Sequence, residues 1–177
     1  MEQETVDRIY SMVDEGKGFP DIAQELQLDV SIVRKCYIKE YSVKHRPVKR
    51  RVGYYVVGAT WGDNLEREDK FSDFIKNGYW KMGWDEASTP IHFAERLHSI
   101  RVGDYIAIKR LMGRDSIWIK IKAIGKVIGI VNDIILVHWI ECFEDRIVPI
   151  KGCIGTIYGP FRKDEKNGEW LEKVFSL

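Results

Sequence analysis

The spacing of apolar positions changes from helical to strand-like near residue 53. Before that point Val6, Ile9, Tyr10 and Val13 recur three and four apart and predict a helix ended by Gly16 and Gly18. Phe19-Pro20-Asp21 opens a second helix, proline being tolerated in a first turn. Asp29 is a natural N-cap for a third over residues 30–41. Beyond residue 53 the apolar residues come in short runs or alternate. Residues 54–59 read as a buried strand, 105–109 as a second, 117–124 as an alternating strand continued past Gly125, and 134–140 as the next. Glycines 125 and 129 suggest a bulge, Asn132-Asp133 a turn, and 146–149 a short edge strand. Helices interrupt this series at 65–76 and after Thr89-Pro90, and 169–175 reads as a terminal one. Strands with two early helices imply a small bent sheet or partly closed barrel.

Residues 71–86, FSDFIKNGYWKMGWDE, are the stretch that the second part is organised around. Asn77-Gly78 is a helix stop followed at once by Tyr79, Trp80, Met82 and Trp84, which predicts an irregular, glycine-broken turn. Three large rings in six residues are expected to line a concave surface instead of entering one core together. Trp61 joins them, while Trp118 and Trp139 read as strand core and Trp170 as packing for the last helix.

Composition narrows the function classes. Of 177 residues 45% are hydrophobic and 31% charged, enough for a core under a well-solvated surface. No apolar run approaches the roughly 18 residues of a membrane helix, and the polar start does not read as a signal peptide, so a cytoplasmic protein with no membrane contact is expected. Cys36, Cys142 and Cys153 are scattered and lack CxxC spacing, which argues against disulfides or zinc. P-loop, GxGxxG, HExxH and GxSxG patterns are absent. His92 and His98 are spaced wrongly for a shared metal, and Cys142 with His138 lacks an orienting third group. No enzyme, metal or cofactor is expected.

The net charge of +1 announces no partner, but the charge is uneven. Lys44, Arg46, Lys49, Arg50 and Arg51 form a basic run around Pro47, read either as a solvated linker or as a phosphate-contacting arm. Upstream, the pattern Ile22-Ala23-x-x-Leu26-x-Leu28-Asp29-x-x-x-Val33 resembles a helix-turn-helix of the sigma-factor or transposase kind, with Gln27 where the turn usually has glycine. That resemblance implies that Ser31, Arg34 and Lys35 face outward on a recognition helix. A three-helix bundle used for protein contacts is the alternative.

Five segments carry a second resemblance. YYVVGATWGDN, DKFSDFIKNGYWKMGW, RVGDYIAIKR, IKAIGKVIGI and GTIYGP, in order over about residues 53–160, resemble EVE-type members of the PUA-like superfamily. They are similar in particular to the N-terminal specificity domains of methyl-dependent restriction ATPases of the McrBC type. The resemblance implies an α+β chain: a helix-turn-helix-like domain over 1–43, a basic linker over 44–52, and a PUA-like bent β-barrel flanked by helices over 53–177. It also implies a pocket for a flipped or unpaired modified base, in the setting of restriction or defence. The related YTH domains, which read methylated adenine, have an aromatic just after a helix that follows the first strand. Trp80 matches that place as a first wall. The end of the first strand would supply Thr60, Trp61 and Asn64, and Trp84 or Trp139 would stand in for the second ring. No AAA motor follows in 177 residues, so the implied architecture is a stand-alone reader of DNA, or RNA, carrying a modified base, with a separate nuclease or ATPase as effector. Two other classes stay open: a ligand-sensing helix-turn-helix transcription regulator and a protein-interaction adaptor.

Overall fold

A computed structural model describes residues 3–44, 51–62, 66–85, 87–113 and 115–176. In chain order the first elements are α1 (Gln3–Asp14), α2 (Phe19–Leu26), α3 (Val30–Lys44), β1 (Tyr54–Gly58), β2 (Thr60–Trp61) and β3 (Glu68–Asp69). Then come α4 (Phe71–Asn77), β4 (Tyr79–Lys81), α5 (Ile91–Ser99) and β5 (Tyr105–Leu111). The last four are β6 (Trp118–Val131), β7 (Ile134–Pro149), β8 (Ile157–Phe161) and α6 (Gly168–Phe175). The chain is mixed α/β, with three N-terminal helices and a curled six-stranded half-barrel sheet. None of the described helices is long and apolar enough to cross a membrane.

Two compact units form, and the helical one is discontinuous: residues 1–50 together with 84–99. Its core holds Ile9, Met12, Phe19, Ile22, Ala23, Val33 and Tyr37, joined by Ala94 of α5. Asp29 caps α3 as expected, its carboxylate accepting from Ser31 N at 2.8 Å. Gln27 closes α2 in the left-handed conformation with φ 54°, performing the turn without a glycine. The expectation that residues from 53 onward form one domain meets a different arrangement at 84–99. There α5 packs on α3, and Tyr37 Oη donates to Glu95 Oε1 at 2.5 Å.

The second unit comprises 51–83 and 100–177. Its sheet runs in the order β4-β7-β6-β5-β1-β8, and β1 with β5 is a parallel pair among antiparallel neighbours. The long β6–β7 hairpin turns at Asn132-Asp133 as the sequence suggests, and the register shifts near Gly125 and Gly129. Residues 146–149 are not a separate edge strand but the end of the 16-residue β7. α6 buries Trp170, Leu171, Val174 and Phe175 against Val56, Ala107, Ile119 and Ile121.

Asp104 fixes the start of the parallel pair. This buried carboxylate accepts from Gly53 N and Arg101 N, each at 2.8 Å, while Tyr105 N donates to Gly53 O. Asp104→Ala would leave backbone donors unpaired, so a loss of about 2–3 kcal/mol is expected in urea unfolding. A change below about 0.5 kcal/mol would mean that water replaces the carboxylate without loss.

Candidate functional site

The parallel register pairs Gly58, the last residue of β1, with Lys109 of β5, so β1 ends there while β5 runs two residues further to Leu111. Gly58 N donates to Thr156 O at 2.8 Å, which brings the segment before β8 to the same end. The β2–β3 ribbon, paired Thr60 to Asp69 and Trp61 to Glu68, rises beside them. Between these parts lies a cleft of about 530 Å³ lined by Gly58, Thr60, Arg67, Asp69, Lys109, Arg110, Leu111 and Ile154 among others. Its size is within the ~300–1,000 Å³ usual for small-molecule sites.

The electrostatics of the cleft are cationic. Arg67, Lys109 and Arg110 face a single carboxylate, Asp69, among the described lining residues. Asp69 Oδ2 pairs with Arg110 Nη2, and its Oδ1 accepts from Phe71 N at 3.0 Å, tying the ribbon to the start of α4. Lys109 is only 6% exposed, and desolvation by burial pushes its ammonium pKa down to about 8, the Cys153 thiol partly opposing this. Leu111 and Ile154 are exposed apolar side chains at the same cleft.

Of the residues expected at a base pocket, the structure brings Thr60 to this cleft. Asn64 lies outside the described residues. Trp61, on β2, is half-buried; its ring packs on Gly83, and its Nε1 donates to Lys81 O at 3.2 Å. A Cβ at Gly83 would stand 2.2 Å from that ring, so only glycine permits the approach.

Trp80 corrects the expectation of an open wall. Residues after Gly78 do not form an irregular turn: Gly78 ends α4 at φ 67° and the chain enters β4 directly, paired with β7. Strand alternation then turns Trp80 inward, where it is 0% exposed and its Nε1 donates to Gly58 O at 2.8 Å. Trp80 therefore holds a strand end that borders the cleft without lining it. Trp139 is likewise committed, its Nε1 donating to Phe74 O at 2.8 Å, and it does not line the cleft. Trp84 is 43% exposed, but it belongs to the helical unit, where its ring meets Phe93 at 5.9 Å. Among the described lining residues none is aromatic.

The expected phosphate contacts divide similarly. Lys35 is exposed, as is Arg51. Arg34 is a correction: it is buried, with Nη2 3.5 Å from His98 Nε2, because α5 covers that face of α3. Ser31 is half-buried and its hydroxyl donates to Asp29. Arg46, Lys49 and Arg50 lie outside the described residues, as does the side chain of Lys44.

Sequence reasoning passed over Lys109, Arg67, Asp69 and Arg110. For Lys109 a signal existed. It continues the run Tyr105-Ile106-Ala107-Ile108 without a turn residue, and burial in β5 extends through Lys109 and stops at Arg110. Comparison with family models, curated proteins and solved structures gives no match to this chain.

Proposed function

We propose that this protein is a non-catalytic nucleic-acid-binding module whose PUA-like second unit takes one nucleotide, unpaired or flipped and bearing a modified base, into the cleft at the ends of β1 and β5. The observation that carries the reading is the cleft itself: about 530 Å³ of space beside three cationic side chains, with exposed apolar groups at Leu111 and Ile154. The cations suit the phosphate of a nucleotide, and a methyl group on the base gains apolar contact with Leu111 or Ile154. The resemblance of the β1, α4, β5 and β6 segments to EVE-type domains supports the same assignment. Extracting a base costs a few kcal/mol, so a base already unpaired is the favoured target. The helical unit adds backbone contacts through Lys35 and the basic run at 44–51.

Fluorescence anisotropy with single-stranded and duplex oligonucleotides, with and without a methylated base, tests this. Binding of a methylated single strand above its unmodified counterpart, weakened by Leu111→Ser with Ile154→Ser, is the expected result. Indifference to both sequence changes and salt would remove the reading and favour an interaction adaptor. Reversing charge at Lys49, Arg50 and Arg51 is expected to weaken all nucleic acids alike. It should also flatten the log-affinity against log-salt slope, by about 0.7–0.9 for each phosphate that is no longer neutralised. An unchanged slope would exclude this run from the interface.

A further inference from the structure

Lys109 has a charge that its own surroundings do not satisfy. It is 6% exposed, and the residues paired with it across the sheet, Gly58 and Ile121, are uncharged. Among the described residues its ammonium makes no hydrogen bond or ion pair, although lysine is almost never buried without one. It is the least exposed charged group at the cleft: Asp69 and Arg110 have side chains 43% and 56% exposed and are paired to each other. The described lining sums to a formal charge of +2, three cations against the one carboxylate of Asp69. A monoanionic phosphodiester leaves half of that charge unmatched, whereas a phosphate monoester carries close to two negative charges at neutral pH.

We propose that the cleft is a phosphate-monoester site in which the Lys109 ammonium donates to the phosphate oxygens, Arg67 and Arg110 flank them, and Leu111 and Ile154 meet the remainder of the nucleotide. This rests on the reading of the cleft as a nucleotide site and specifies which nucleotide it takes: a free mononucleotide or the 5′-phosphorylated end of a strand. A compact ammonium suits a phosphate as a point charge, as lysines in phosphate-binding loops do.

One neighbour of Lys109, the Cys153 thiol, is of a type that ordinarily titrates near the same range as this lysine, so the Lys109→Arg variant, which keeps that thiol, is what separates the lysine's contribution. Gly58 on β1 and Ile121 on β6 have no titratable group, and the charged side chains that share the cleft with Lys109 are Arg67, Arg110 and Asp69. The Cys153 thiol is the neighbour that acts on Lys109 from outside the sheet pairing. Since its pKa is about 8, Lys109 loses its charge on going from pH 7 to about 9.5, a range over which a phosphate monoester stays dianionic.

Titration calorimetry with a nucleoside 5′-monophosphate, its nucleoside and inorganic phosphate tests the assignment. The monophosphate is expected to bind at least about tenfold more tightly than the nucleoside, the effect of one charge-assisted hydrogen bond. Inorganic phosphate should compete with it. Lys109→Met should erase the advantage while leaving nucleoside binding in place. Lys109→Arg should retain it and lose the decline toward pH 9.5 that the native protein shows. Equal affinity for monophosphate and nucleoside, or full binding by Lys109→Met, would overturn the phosphate assignment with the nucleotide reading intact. Absence of binding to monophosphate, nucleoside and oligonucleotides alike would overturn both. Oligonucleotides with 5′-phosphate and 5′-hydroxyl ends distinguish the sources. A preference for the phosphorylated end identifies a strand terminus, and binding of the mononucleotide alone identifies a free one.

Discussion

Lys109→Met is expected to raise the unfolding free energy at pH 7 by roughly 2–3 kcal/mol in phosphate-free buffer, because it removes an ammonium that burial holds at a pKa of about 8. The direction follows from proton linkage. The unfolded chain binds a proton at Lys109 up to its ordinary lysine value, whereas the folded chain releases it near pH 8. Burial of the charged form therefore destabilises the fold fully below about pH 8. That penalty fades as the pH rises towards the ordinary lysine range near 10.4. Urea titrations at pH 7 and pH 10 should show the native protein gaining on the variant. A variant less stable than the native chain at pH 7 would mean that the ammonium has an internal partner. A stabilising substitution at a residue lining a cleft is what a charge kept for a ligand would produce.

Trp80→Ala is expected to cost about 3–5 kcal/mol, the range for removing a large buried aromatic. The indole is 0% exposed, and its loss also leaves Gly58 O without its donor. Trp80→Phe retains most of the ring and isolates that hydrogen bond, at about 1–2 kcal/mol. Because Trp80 supports the end of β1 instead of touching a ligand, Trp80→Phe should weaken methylated and unmethylated oligonucleotides equally. Selective loss of the methylated one would return this ring to the pocket. Denaturant unfolding beside anisotropy separates the two roles.

These two residues show where the sequence is readable and where it is not. Elements set by local chemistry were legible: the cap at Asp29, the helix stop at Gly78, the turn at Asn132-Asp133, and the alternation of β6. Each is decided within a few residues of itself. Trp80 was legible as an aromatic behind a helix end, but which way it faces depends on pairing with Ile135 of β7, some 55 residues away. Arg34 reads as exposed on α3 because the element that covers it, α5, arrives from beyond β4. Lys109 shows the opposite failure. The run before it hints at burial, and the position of β5 between β1 and β6 is what encloses it. Thr60 was reached through a family likeness, whereas Arg67, Asp69 and Arg110 become neighbours only through the β2–β3 ribbon and its ion pair to β5.

The placement of residues 84–99 has a practical corollary. The polypeptide passes from one unit to the other three times, near residues 50, 83 and 99. No single cleavage point therefore liberates either piece intact. A fragment stopping at residue 52 would lack Ala94 from its interior and Glu95 as acceptor for Tyr37. The complementary fragment would carry α5 without the helices it packs on.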